Sequence, residues 1–186
     1  MTPLFLSLLE EVVFWGGLGL ALVVFLIWVV RNRTARGKRR HDLLPLILLA
    51  ILADLAIGYA RIGALPHWLF YPGEILFIGG ALFTAWSYSF LGRYLSPYAE
   101  VLPDHEVIEA GPYRYIRHPG YLGAIVALIG LGLALQSWVA TLLILIVAAG
   151  ALAYRVRVEE QLMATELGDR YLDYVARTKR LIPFIW

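Results

Sequence analysis

The side chains able to do chemistry in this 186-residue sequence gather in two short polar segments. One carries Tyr113, Arg114, Tyr115, Arg117, His118, Pro119 and Tyr121. The other carries Arg155, Arg157, Glu159 and Glu160, followed by Gly168, Tyr171 and Tyr174. Arg114, Arg117 and His118 set donors just before a helix whose start bears partial positive charge, a place that suits a carboxylate or another anionic ligand. Gly111-Pro112 is a turn signal, and Pro119 marks a helix boundary at His118. Arg155 and Glu159 stand four residues apart and share a face if the chain there is helical. Taken singly, each segment also reads as an interfacial belt of tyrosine and arginine, or as a surface ion pair. There is no cysteine, which excludes a disulfide framework, a thiolate metal site and a cysteine nucleophile. The histidines, 41, 67, 105 and 118, are dispersed, and no metal site is expected.

The elements that position these segments are apolar. Hydrophobic residues make up 60% of the chain and charged ones 16%; mean hydropathy is +0.70. A soluble domain of this size has too little interior for that many apolar side chains. A helix needs about 20 apolar residues to cross a hydrocarbon core of roughly 30 Å. The runs 12–30, 43–59, 68–91, 121–135 and 138–154 supply five spans, the last two separated only by Gln136 and Ser137 as a tight helical hairpin. The fold class expected is an all-α integral membrane protein with five transmembrane helices, that C-terminal hairpin and a cytosolic amphipathic C-terminal helix.

Five spans put 15 of the 16 Lys and Arg residues on one side, with only Arg61 opposite. The positive-inside rule then sets the N-terminus outside and the C-terminus in the cytosol. Glu10 and Glu11, where a signal peptide has a basic region, argue against a cleaved leader. The basic run 31–40 reads as a topology determinant touching lipid head groups, not as a nucleic-acid site. Asp54 lies inside the second span and is expected to face the bundle interior. Glu74 reads as an interface-level acid, and Gly79–Gly80 as a site of close helix packing. Leu162, Met163, Leu167 and Tyr171 form an apolar stripe, with Gly168 ending or kinking their helix. The whole is one membrane domain, 1–186: three spans over 1–91, then a catalytic region over 92–186 that includes the hairpin 121–154. Folding the hairpin returns the second polar segment to the first at one membrane face.

Read together, Gly111-Pro112-Tyr113-Arg114-Tyr115, Arg117-His118-Pro119-Gly120-Tyr121-Leu122-Gly123, Glu159-Glu160, Gly168-x-x-Tyr171-x-x-Tyr174 and Arg180-Leu181-Ile182-Pro183 form an ordered set. It resembles the isoprenylcysteine carboxyl methyltransferase family, whose wider relatives methylate phospholipids. The resemblance covers residues 92–186. It implies S-adenosylmethionine held in a cytosolic pocket by His105, Glu106, Val107, Ile108, Tyr113, His118, Pro119, Gly120, Tyr121 and Glu159. It implies Arg155 as the holder of a substrate carboxylate, with Arg117 at the same catalytic centre. Tyr98 stands where the family often carries an amide. The implied partner is a lipidic or prenylated substrate entering from the bilayer. Three other readings stay open on the residues alone: a phospholipid N-methyltransferase, an NADPH-dependent sterol reductase and a non-enzymatic membrane scaffold.

Overall fold

The computed structural model describes residues 44–95 and 105–181. The first expected span, the basic run 31–40, Tyr98, Ile182 and Pro183 lie outside them, as does the side chain of Asp54. Among the described residues the regular structure is entirely helical. We number the helices α1 (Leu44–Tyr59), α2 (Phe70–Leu91), α3 (Pro119–Ala134), α4 (Trp138–Leu167) and α5 (Asp169–Arg177). The sequence places the third span's start at Trp68; a single 3-10 turn, His67–Leu69, precedes α2 instead. Pro119 opens α3 at its first turn, where a missing N–H costs nothing.

The last helix of the apolar region is longer than its hydrophobic run. The sequence ends the fifth span at 154, whereas α4 continues unbroken for 30 residues to Leu167. Its apolar half is followed by more than three further turns, the first two of which hold Arg155, Glu159 and Glu160 in register. Gly168 then stops it with φ +56, a left-handed backbone that a side chain disfavours. The chain restarts at once as α5, whose Tyr171 and Tyr174 are buried.

Among the described residues, two helical segments, His67–Tyr94 and Trp138–Leu167, are long and apolar enough to cross a membrane, and Pro119–Ala134 is a shorter apolar helix. Their outward faces carry exposed Ile75, Leu82, Trp86, Leu142 and Ile146. Water penalises such a surface and hydrocarbon does not.

Helices α2 and α3 form the most extensive pair. A Cβ at Gly80 would collide with the backbone of Ala127, and one at Gly130 with the backbone of Phe77. Missing side chains let the two backbones touch, which is how helices gain packing energy where lipid competes for apolar contact. Thr84 adds a polar latch, its hydroxyl lying 3.0 Å from the Gly80 carbonyl and 3.1 Å from that of Gly120.

The turn between α3 and α4 is pinned from below. Ser137 is fully buried; its hydroxyl donates to the Ile62 carbonyl (2.5 Å) and accepts from the Ala140 N–H (3.1 Å), capping α4. The backbone adds Leu65 N–H to Gln136 O (2.7 Å) and Trp138 N–H to Gly63 O (3.0 Å). This fixes the hairpin at the end remote from the polar segments.

Candidate active site

At the other end, the chain after α5 comes back to the loop before α3. The N–H of Arg117 donates to the Lys179 carbonyl (2.8 Å), that of His118 to Arg180 (3.0 Å), and that of Lys179 to Tyr115 (3.1 Å). Ile116 and Lys179 thus make a parallel bridge. The Tyr174 hydroxyl donates to the Tyr113 carbonyl (2.7 Å). Burial pushes the phenols of Tyr113, Tyr171 and Tyr174 well above their ordinary range, so they act only as neutral groups here.

The paired acids have different surroundings. Glu159 Oε1 accepts from the Tyr121 hydroxyl (2.6 Å) and from Arg155 Nε (2.7 Å), and Arg155 Nε also lies 3.1 Å from the Tyr121 oxygen. These three side chains close a triangle between the start of α3 and the polar turns of α4. His118 Nδ1 is 3.7 Å from Glu159 Oε2, and its ring stacks on Tyr121 at 5.4 Å between centroids. Oε2 itself accepts no hydrogen bond among the described residues, and Arg155 engages them only through Nε.

Glu160 instead binds the protein to itself. Its Oε1 accepts from Arg117 Nε (2.8 Å) and its Oε2 from Arg180 Nε (2.9 Å). His118 Nε2 is 3.5 Å from Oε1, off the line of a hydrogen bond. Burial by itself disfavours the Glu160 carboxylate, but His118 and the Arg117 guanidinium beside it outweigh that and hold its pKa down to about 2. Arg117 also reaches the carbonyls of Thr178 (2.6 Å) and Val175 (3.3 Å).

The sequence-derived residues therefore fall into four places. His118, Tyr121, Glu159 and Arg155 meet at one point, with Pro119 and Gly120 buried between the first two. Tyr113 is buried beneath α5, tied through its carbonyl to Tyr174. His105, Glu106, Val107 and Ile108 lie in an irregular stretch before the Gly111 turn. The His105 ring packs 4.6 Å from Tyr94, and burial lowers its pKa. Arg117 faces Glu160 and the tail rather than the Glu159 triangle. One neighbour of the site is absent from the sequence reading. The Tyr88 ring of α2 lies against Gly120, where a Cβ would collide with it.

A model of the isoprenylcysteine carboxyl methyltransferase family matches residues 74–165. That stretch contains every member of the Glu159 triangle. Across about half its length the chain is similar to this family. The Schizosaccharomyces pombe protein-S-isoprenylcysteine O-methyltransferase is 33% identical over 82 residues, 44% of this chain and 35% of that protein. Its Saccharomyces cerevisiae counterpart is 32% identical over 82 residues, 44% and 34% respectively. The Bacillus subtilis protein YpbQ, itself uncharacterized, is 32% identical over 76 residues, 41% of this chain and 45% of its own. The matched stretch thus spans from about a third to under a half of these relatives. Among solved structures, the eukaryotic intramembrane Ras methyltransferase of the family superposes with a TM-score of 0.73 at 20% identity, covering 95% of this chain and 68% of that one. At that identity the likeness is one of fold.

Proposed function

We propose that this protein is an S-adenosylmethionine-dependent integral membrane methyltransferase that esterifies a carboxylate on a lipidic substrate. The observation that carries the reading is the meeting of His118, Tyr121, Arg155 and Glu159 at the end of the hairpin, beneath the returning tail. Two features there fit the cofactor. Glu159 keeps one carboxylate oxygen as an acceptor beside the flat His118–Tyr121 stack, a suitable partner for hydroxyl or ammonium donors. His118 Nε2 is buried without a hydrogen-bond partner among the described residues. Tyr113, Pro119, Gly120 and the 105–108 stretch make up the remaining wall. When bound, S-adenosylmethionine supplies an electrophilic methyl group on a positively charged sulfur.

The chain's own residues do the rest by placement. Arg155 is fixed through Nε on Tyr121 and Glu159, leaving its terminal nitrogens to fork onto a substrate carboxylate. A carboxylate is already ionised at neutral pH, so no general base is required. Orientation and exclusion of water carry the rate. Amine methylation of a phospholipid would require removal of an ammonium proton, and Glu160, ion-paired and with a pKa of about 2, is a poor base for it. Arg117 keeps the tail over the site. The lipidic tail enters sideways between helices that already face hydrocarbon. Five spans, an outside N-terminus and a cytosolic site under an amphipathic C-terminal helix complete the topology.

The test uses the detergent-solubilised protein, labelled cofactor, a farnesyl-thioether carboxylic acid and phosphatidylethanolamine. The acid gains label, and Glu159→Gln weakens S-adenosylhomocysteine binding on the order of tenfold or more, the worth of a hydrogen bond to a charged group. Label on the amine lipid alone, or a Gln variant that binds as wild type, refutes the reading.

A further inference from the structure

The acceptor side of the site has a second donor that comes from α2, the helix whose outer face meets lipid. Thr84 and Tyr88 are one turn apart, and both face the first turn of α3. Thr84 fixes the Gly120 carbonyl, and the Tyr88 ring lies over Gly120, in space that only a missing side chain leaves open. Gly120 stands between His118 and Tyr121 in sequence, so the Tyr88 ring lies against the turn that carries both. The electrostatic neighbours of Tyr88 are Glu159, Arg155 and Tyr113, one each from the first two polar turns of α4 and from the loop before α3. The Tyr121 hydroxyl is consumed by Glu159, whereas the Tyr88 hydroxyl makes no hydrogen bond among the described residues. A hydroxyl in the field of a cation and an anion, and bonded to neither, is poised for a third molecule. Glu159 as an acceptor repels a carboxylate; Arg155 and a phenol attract one.

We propose that Tyr88 is a substrate-contacting residue whose hydroxyl donates a hydrogen bond to the carboxylate held by Arg155. It stays protonated throughout and fixes which oxygen is presented for methylation. This assignment rests on the carboxyl-methylating reading above. It also gives the substrate a place to enter, because α2 lines the bilayer and Tyr88 is where that helix reaches the polar end of the hairpin.

The experiment compares wild type and Tyr88→Phe by calorimetry with three probes: a farnesyl-thioether carboxylic acid, the same thioether ending in a methyl group, and S-adenosylhomocysteine. Phe keeps the ring on Gly120, so the fold is retained and cofactor-product binding reports it. The expected result is acid affinity lower by about 10- to 100-fold, the loss of one hydrogen bond to a charge, with the other two probes unaffected. Equal weakening of both thioethers assigns Tyr88 to packing and overturns the proposal. Unchanged acid affinity overturns it as well, while leaving the methyltransferase reading intact. Wild type that binds the cofactor product but not the acid overturns both.

Discussion

Replacing Glu160 with glutamine removes one charge from a cluster in which Arg117 and Glu160 retain only 7% and 12% of their side-chain exposure. The carboxyl's fall from 4.5 to about 2 is worth about 3 kcal/mol, at about 1.4 kcal/mol for each tenfold change in its dissociation constant. Removing one member of a buried ion pair costs roughly 3–5 kcal/mol, because its partner is left uncompensated. Glutamine keeps an acceptor for one arginine and Arg180 is partly solvated, so the lower figure applies. At about 2–4 °C per kcal/mol for a chain of this size, Glu160→Gln melts roughly 6–12 °C below wild type. The sign with pH follows from the depressed value. The stabilisation is complete above the ordinary carboxyl range near 4.5; it is lost as pH falls towards about 2. Melting curves followed by the fluorescence of the six tryptophans, at neutral pH and near pH 3, should show the gap between variant and wild type shrinking in acid. A gap that is absent at neutral pH, or the same at both, would mean that Glu160 does not hold the tail electrostatically.

Two stability predictions test the frame around the site. Ser137→Ala loses both the α4 cap and the bond to Ile62; it should cost about 1–2 kcal/mol, seen as a lower melting temperature with cofactor-product affinity unchanged. Gly80→Ala drives a methyl into the backbone of Ala127, and should cost about 1–3 kcal/mol as overpacking; a variant as stable as wild type would refute the close backbone contact.

The sequence makes much of this visible because its signals are local. Arg155 and Glu159 are one turn apart on a run whose helical period is plain, and their contact at 2.7 Å follows from that spacing. Gly168 reads as a stop and is one. The return of the tail is implied by having only a hairpin between the polar segments. What stays hidden depends on partners brought from afar. Tyr88 lies in a run of apolar and aromatic residues that reads as membrane span, and only packing against Gly120 singles it out. Arg117 carries a charge that suits an anionic ligand, yet its donors go to Glu160 and to carbonyls some 60 positions later, which no periodicity reveals. Likewise Glu159 and Glu160 are adjacent in sequence and face different tasks, one towards the site and one towards the tail.

The pairing of 115–118 with 178–180 also has a consequence for how the protein is made. Backbone groups at the threshold of α3 wait for partners that the ribosome supplies only after all five numbered helices. Until then Arg117 has neither Thr178 nor Val175 to bond, and the approach to Glu159 stands open. Helices α1 to α4 are therefore complete before the groups that close the site exist. Closure over Glu159 comes last, with the joining of a few residues.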